Sequence, residues 1–104
     1  MNASSNNIKF SYLYRDAANY KLFGETVFNN PDRLSLIEIE SKIKSNLIDG
    51  EFFEAEKWGI IPLRFDKHNT ELDHDWHGFE NIEMTEEIVT DNRTVKEFLM
   101  IIKK

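Results

Sequence analysis

The chain contains no cysteine, only two prolines and only four glycines in 104 residues. Without cysteine there is no disulfide, no zinc–thiolate site, no iron–sulfur cluster and no thiol nucleophile. A reducing cytoplasm is the simplest home for such a chain. Long apolar runs are missing as well. The longest, Phe98 to Ile102, falls far short of the roughly 18 residues that a membrane-spanning helix needs, so no membrane role is expected. Residues 1 to 7 lack both the basic start and the apolar stretch of a secretory signal, and are read as a flexible tail ahead of one domain over residues 8–104. Hydrophobic residues at 40% and charged residues at 31% are ordinary globular values, and the length suits a single core.

Positive charge is missing from one place in particular. Residues 71–91 hold eight acids (Glu71, Asp73, Asp75, Glu80, Glu83, Glu86, Glu87 and Asp91) and no Lys or Arg. Setting them aside leaves 11 acids against the chain's 13 bases, a balance of +2, so the net charge of −6 is local in origin. Such a surface repels a phosphate backbone and excludes nucleic acid as a partner. It attracts a basic protein or a cation instead.

Several elements follow from spacing. Ile8, Phe10, Tyr12 and Tyr14 alternate with Lys9, Ser11 and Leu13, which predicts a strand. A second strand over 20–28 is expected to pair with it as a hairpin with a bulge or bend at Gly24. Ser35 and Glu38 form a capping-box pattern with Leu34 and Ile39 placed as a hydrophobic staple. Leu36, Ile39, Ile43 and Leu47 fall at helical spacing, so a helix from Ser35 to Asp49, stopped by Gly50, is predicted. A third strand is expected over 51–58, a loop or edge around Pro62, and a fourth strand over 76–84 with a bulge at Gly78. Thr94 and Glu97 repeat the capping box ahead of Val95, Phe98, Leu99 and Ile102, predicting a closing helix. The result is an α+β fold with about four antiparallel strands and two helices on one face, in the order ββαββα.

The densest chemistry lies in Asp73-His74-Asp75-Trp76-His77-Gly78-Phe79-Glu80. Together with Leu47-Ile48-Asp49-Gly50-Glu51-Phe52-Phe53 and Glu56-Lys57-Trp58-Gly59, this stretch resembles a family of small bacterial proteins with no established activity. The resemblance implies a compact bacterial cytoplasmic domain and no particular reaction. It is broken at Gly78, where the family pattern has an acid.

Two uses of this region are open. One is a divalent metal held by His74, His77 and Asp73 or Asp75, since imidazole and carboxylate suit zinc, manganese or iron. Against it, His74 and His77 point to opposite faces of a regular strand, and the His-Glu-x-x-His spacing is absent. The plainer expectation is that one histidine and Trp76 pack under a loop, with hydrogen bonds to Asp73 or Asp75 fixing the imidazole tautomer and orienting the strand. No nucleophile has a base or orienting group near it in sequence, so no catalytic residue and no bound cofactor are expected. The favoured function is a non-enzymatic interaction protein of antitoxin or immunity type. Its acidic and aromatic surface, built from Trp76, Glu80, Glu83, Glu86 and Glu87, would engage a protein partner of basic character. A metal-dependent enzyme centred on His74 and His77 is the alternative, and a homodimer formed through an open sheet edge or aromatic face is a third possibility. Aromatics left on a face without helices would mark the partner-binding patch.

Overall fold

A computed structural model describes residues 7–15, 20–63 and 76–103. The alternation at the start of the chain forms β1 (Asn7–Arg15), in which Ile8, Phe10, Tyr12 and Tyr14 are all buried. β2 (Lys21–Phe28) pairs with it antiparallel in one unbroken register from Ile8↔Phe28 to Arg15↔Lys21. On the other side of β1 lies β4 (Trp76–Thr85), and β3 (Phe52–Glu54) pairs with β4. The sheet is antiparallel throughout, in the order β2-β1-β4-β3.

Among the described residues three helices pack on one face of this sheet: α1 (Leu36–Ser45), the single turn α2 (Ala55–Trp58) and α3 (Val95–Ile102). The expected α+β fold is therefore present, with α2 as an addition to the order ββαββα. No helix among the described residues is long and apolar enough to cross a membrane.

Phe10 is the centre of the core. Its ring meets Phe98 of α3 at 5.5 Å, Phe53 and Phe79 at 5.6 Å, and Trp58 of α2 at 6.4 Å between centroids. Phe28 stacks on Phe98 at 4.5 Å, and Phe53 on Trp58 at 4.7 Å. Each such side chain contributes about 1.5–3 kcal/mol by burial, with ring geometry adding to it. The aromatics at 10, 53, 58 and 98 thus join sheet and helices into one apolar cluster.

The helix starts behave as their sequences dictate, with one difference. Thr94 Oγ1 accepts from the Glu97 N–H (3.2 Å) and Glu97 Oε1 accepts from the Thr94 N–H (2.8 Å), a complete capping box. At α1 only half is made: Ser35 Oγ accepts from the Glu38 N–H (3.1 Å), while the Glu38 carboxylate turns to Lys42 at 3.5 Å. An i,i+4 partner competes here with the backbone for the same carboxylate.

Four expectations are corrected. The first concerns the end of α1, which stops at Ser45 rather than Asp49. Asp49 and Gly50 both have positive φ (54° and 70°), and the Glu51 N–H bonds to Ile48 O, so the pair forms a tight turn of the Asp-Gly hairpin kind. The second is the long strand over 51–58, which shrinks to three residues because the chain coils into α2 at Ala55. Gly59 closes that turn in the left-handed region (φ 68°), with Ile60 N–H bonded to Ala55 O and Gly59 N–H to Glu56 O.

The other two concern glycines read as bulges. Gly24 keeps β2 in register opposite Tyr12, and its missing side chain makes room for the tyrosine ring: a Cβ there would stand 2.8 Å from Tyr12 Cζ. Gly78 is likewise in register, opposite Leu13 and Phe52. The bulge in β4 falls at Glu80, the extra residue where Ser11↔Asn81 gives way to Tyr12↔Phe79. That insertion switches the parity of β4, so His77 and Phe79 before it share the helix face with Ile82 after it.

Candidate functional site on the open sheet face

The face opposite the helices carries the alternate residues of each strand. On it, register sets Phe23 beside Leu13, Leu13 beside Gly78 and Gly78 beside Phe52, one row across all four strands. Trp76 lies two residues from Gly78 on the same face and meets the Phe52 ring at 5.8 Å. Phe23 is 62% exposed and Trp76 38% exposed. Gly78 leaves the middle of the row low, and a hollow of about 160 Å³ opens there, with Leu13, Phe52 and Trp76 around it and Arg15 and Glu51 at its margin. A Cβ at position 78 would sit 3.6 Å from Leu13 Cγ, an ordinary contact, so the fold tolerates a side chain that the hollow lacks.

His77 points the other way. It is 3% exposed, with its ring 5.1 Å from Tyr14, 5.9 Å from Phe53 and 6.0 Å from Tyr12. Its Nε2 accepts a hydrogen bond from the Leu63 N–H at 2.8 Å, which makes Nε2 the unprotonated nitrogen and leaves the ring proton on Nδ1. Next to it, Tyr12 Oη donates to Ile61 O at 2.7 Å, and burial holds the Tyr12 hydroxyl above its usual pKa. Two side chains of the sheet thus tie down the 61–63 segment. Of the expected packing, only the histidine lies under this segment: Trp76 is on the opposite face of the sheet, 38% exposed, because neighbouring strand residues point to opposite sides, and Asp73 and Asp75, the expected hydrogen-bond partners, lie outside the described residues.

The remaining metal candidates, Asp73, His74 and Asp75, lie outside the described residues. Among the described residues no three His, Asp or Glu side chains converge on a point. In the arrangement seen, His77 Nε2 is engaged by backbone.

The acidic stretch is divided by the fold. Glu80, at the bulge, and Glu83 and Glu86 are exposed. Glu87 is ion-paired with Lys9, whose ammonium also faces Glu25 at 3.8 Å. The hydrogen bond to Glu87 and the charges of Glu25, Glu87 and Glu83 hold Lys9 above its usual pKa; the hydrogen bond from Lys9 holds Glu87 below the usual carboxylate value. A lysine 78 positions away in the sequence therefore enters a stretch that has no base of its own. Asn7 reinforces the join, its Nδ2 donating to Glu87 O at 2.9 Å.

The sequence did not single out Arg93, and marked Asp91 only as one of the eight acids of residues 71–91. Arg93 Nε and Nη2 donate to the two carboxylate oxygens of Asp91 (2.9 and 2.8 Å), a bidentate pair. Its Nη1 and Nη2 also donate to Trp58 O, the last carbonyl of α2, and to Gly59 O of the cap that follows it. The guanidinium lies 5.6 Å from the Phe28 ring centre and 5.2 Å from that of Phe98. The hydrogen bonds from Arg93 hold the Asp91 carboxyl below its usual pKa. This is a structural clasp between α2 and the start of α3, and the only hint of it in the sequence is that Arg93 is the first base after the acidic stretch.

No family model matches the chain, and no curated protein or solved structure matches it.

Proposed function

We propose that the protein is a non-enzymatic binding module that engages another protein through the open sheet face. The observation that supports this is the apolar row Phe23–Leu13–Gly78–Phe52 with Trp76 beside it, on the face away from the helices. Soluble domains rarely leave a contiguous aromatic patch bare without a use for it, and tryptophan is the residue that most often anchors an interface. The hollow over Gly78 suits a single apolar or aromatic side chain of the partner. Glu80 and Glu83 farther along β4 favour basic groups on the partner's rim, where complementary charge sets orientation and on-rate. In this reading, Trp76, Glu80 and Glu83 of the expected partner surface contribute, and Glu87 serves mainly to hold Lys9.

Site-specific photo-crosslinking tests this in cells of the source organism. A crosslinker at Phe52 should trap a discrete protein that one at Ile37, 82% exposed on α1, does not. Trp76→Ala should weaken binding of the trapped protein by about 30-fold or more while leaving the fold intact. Equal crosslinking from both positions, or a partner indifferent to Trp76→Ala, overturns the proposal.

A further inference from the structure

The two edges of the sheet end differently. β3 offers only three residues before the chain coils into α2, whereas β2 is eight residues long and, among the described residues, has a strand neighbour, β1, on one side alone. In an antiparallel ladder, alternate residues point both backbone groups away from the neighbour. Val27 shows which residues of β2 do so. Its N–H donates to Thr90 Oγ1 (2.9 Å), and its carbonyl accepts from the N–H groups of Thr90 and Asp91 (2.9 and 3.1 Å), all beyond the sheet. The register is unbroken, so Lys21, Phe23 and Glu25 share this outward direction. Among the described residues no partner meets their outward N–H and C=O groups. The edge is thus closed at Val27 and open from Lys21 to Glu25, a template for another strand.

We infer that this open edge pairs with the same edge of a second copy of the chain, antiparallel, with Phe23 opposite the second copy's Phe23. The sequence Lys21-Leu22-Phe23-Gly24-Glu25 is self-complementary about its centre. A two-fold axis through the Phe23 pair places Lys21 opposite the second copy's Glu25, and Glu25 opposite its Lys21. All three outward-facing residues then find partners, giving about six backbone hydrogen bonds and two cross-strand ion pairs. Other registers do less. Centring on Lys21 or Glu25 sets like charges against each other, centring on Leu22 carries Glu25 past the start of the second copy's β2, and centring on Gly24 sets Lys21 against the closed Val27. Lys21, Phe23 and Glu25 project on the face away from the helices, with Leu13 between the strands' centres. A two-fold axis perpendicular to the sheet keeps that face common to both copies. The apolar row then runs on through the interface, Phe52–Gly78–Leu13–Phe23 meeting its own reverse, and the exposed Phe23 ring is covered.

This pairing uses the backbone of β2 and stands independently of the hollow at Trp76. Sedimentation velocity on the full chain over a range of concentrations should show the mass rising from 12.3 kDa towards twice that value. Lys21→Glu should weaken the dimer roughly tenfold by opposing like charges at two places, and adding Glu25→Lys to it should restore the affinity. Phe23→Pro removes the central outward N–H without touching the β1 ladder and should leave a monomer. Circular dichroism melts on each variant check that the fold is retained. A wild-type protein that stays at 12.3 kDa overturns the inference. So does a dimer indifferent to Phe23→Pro, or one that the double charge swap fails to rescue. Trp76→Ala should leave the dimer unchanged, which separates this result from failure of the partner-binding proposal.

Discussion

The two faces of the sheet are made by the same strands and treat aromatic residues in opposite ways. On the helix side, Phe10, Phe28, Phe53 and Phe98 are fully buried, each against at least one other ring. On the other side, Phe23 and Trp76 keep much of their surface in water, and Phe52 is half-buried. Because one residue's shift in register exchanges the faces, the placement of these groups is a consequence of pairing, and composition alone does not fix it. The comparison separates residues buried in the core from those on the open face that stay exposed.

The comparison breaks if a mutation on the open face unfolds the protein as readily as one in the core. Phe98→Ala should cost about 3–5 kcal/mol, the usual loss for a buried aromatic, against about 1 kcal/mol or less for Trp76→Ala. Chemical denaturation of the two variants measures both. Similar losses would show that the open face belongs to the core.

A smaller effect is expected at the clasp. Arg93→Met keeps much of the apolar stem over Phe28 and Phe98 but removes the donors to Trp58 O, Gly59 O and Asp91, at about 2 kcal/mol. The pH dependence carries a sign. Asp91 is held below its ordinary value of 3.8, so its contribution is present above that pH and is lost as the pH falls through the lower folded-state value. Wild type should therefore lose stability in acid faster than Arg93→Met, as read from denaturation midpoints between neutral pH and pH about 2.

The smallest change sharpens the comparison most. Gly78→Ala adds a methyl at ordinary contact distance from Leu13, and should stabilise the fold by about 0.4–1 kcal/mol through the unfolded chain. The same methyl intrudes on the hollow, so partner binding should weaken as stability rises. A variant that lost stability and kept its binding would contradict the role given to Gly78.

Much of the fold was legible where local chemistry decides it. The alternation in β1, the N-caps at Ser35 and Thr94 and the apolar spacing of α3 each depend on residues within one turn or one strand. Asp49-Gly50 was legible too, as a hairpin turn, but helical spacing through Leu47 outweighed it. The site was legible only in part. Trp76 and the acids of β4 could be marked as surface candidates, whereas Phe23, Leu13 and Phe52 are distant in sequence and meet only through register. The pairing of two acids of the acidic stretch was not legible for a related reason: a count along the chain does not show Lys9 beside Glu87 or Arg93 around Asp91.

By itself, then, the sequence determined the class of fold, the starts of α1 and α3 and many of the residues bound for the core, because burial and capping are settled over short distances. Tertiary structure alone decided where β4 bulges, which acids meet a base and which strands lie at the edges of the sheet among the described residues. Each of these depends on pairing between segments tens of residues apart, and a one-residue insertion at Glu80 sets the faces on either side of it.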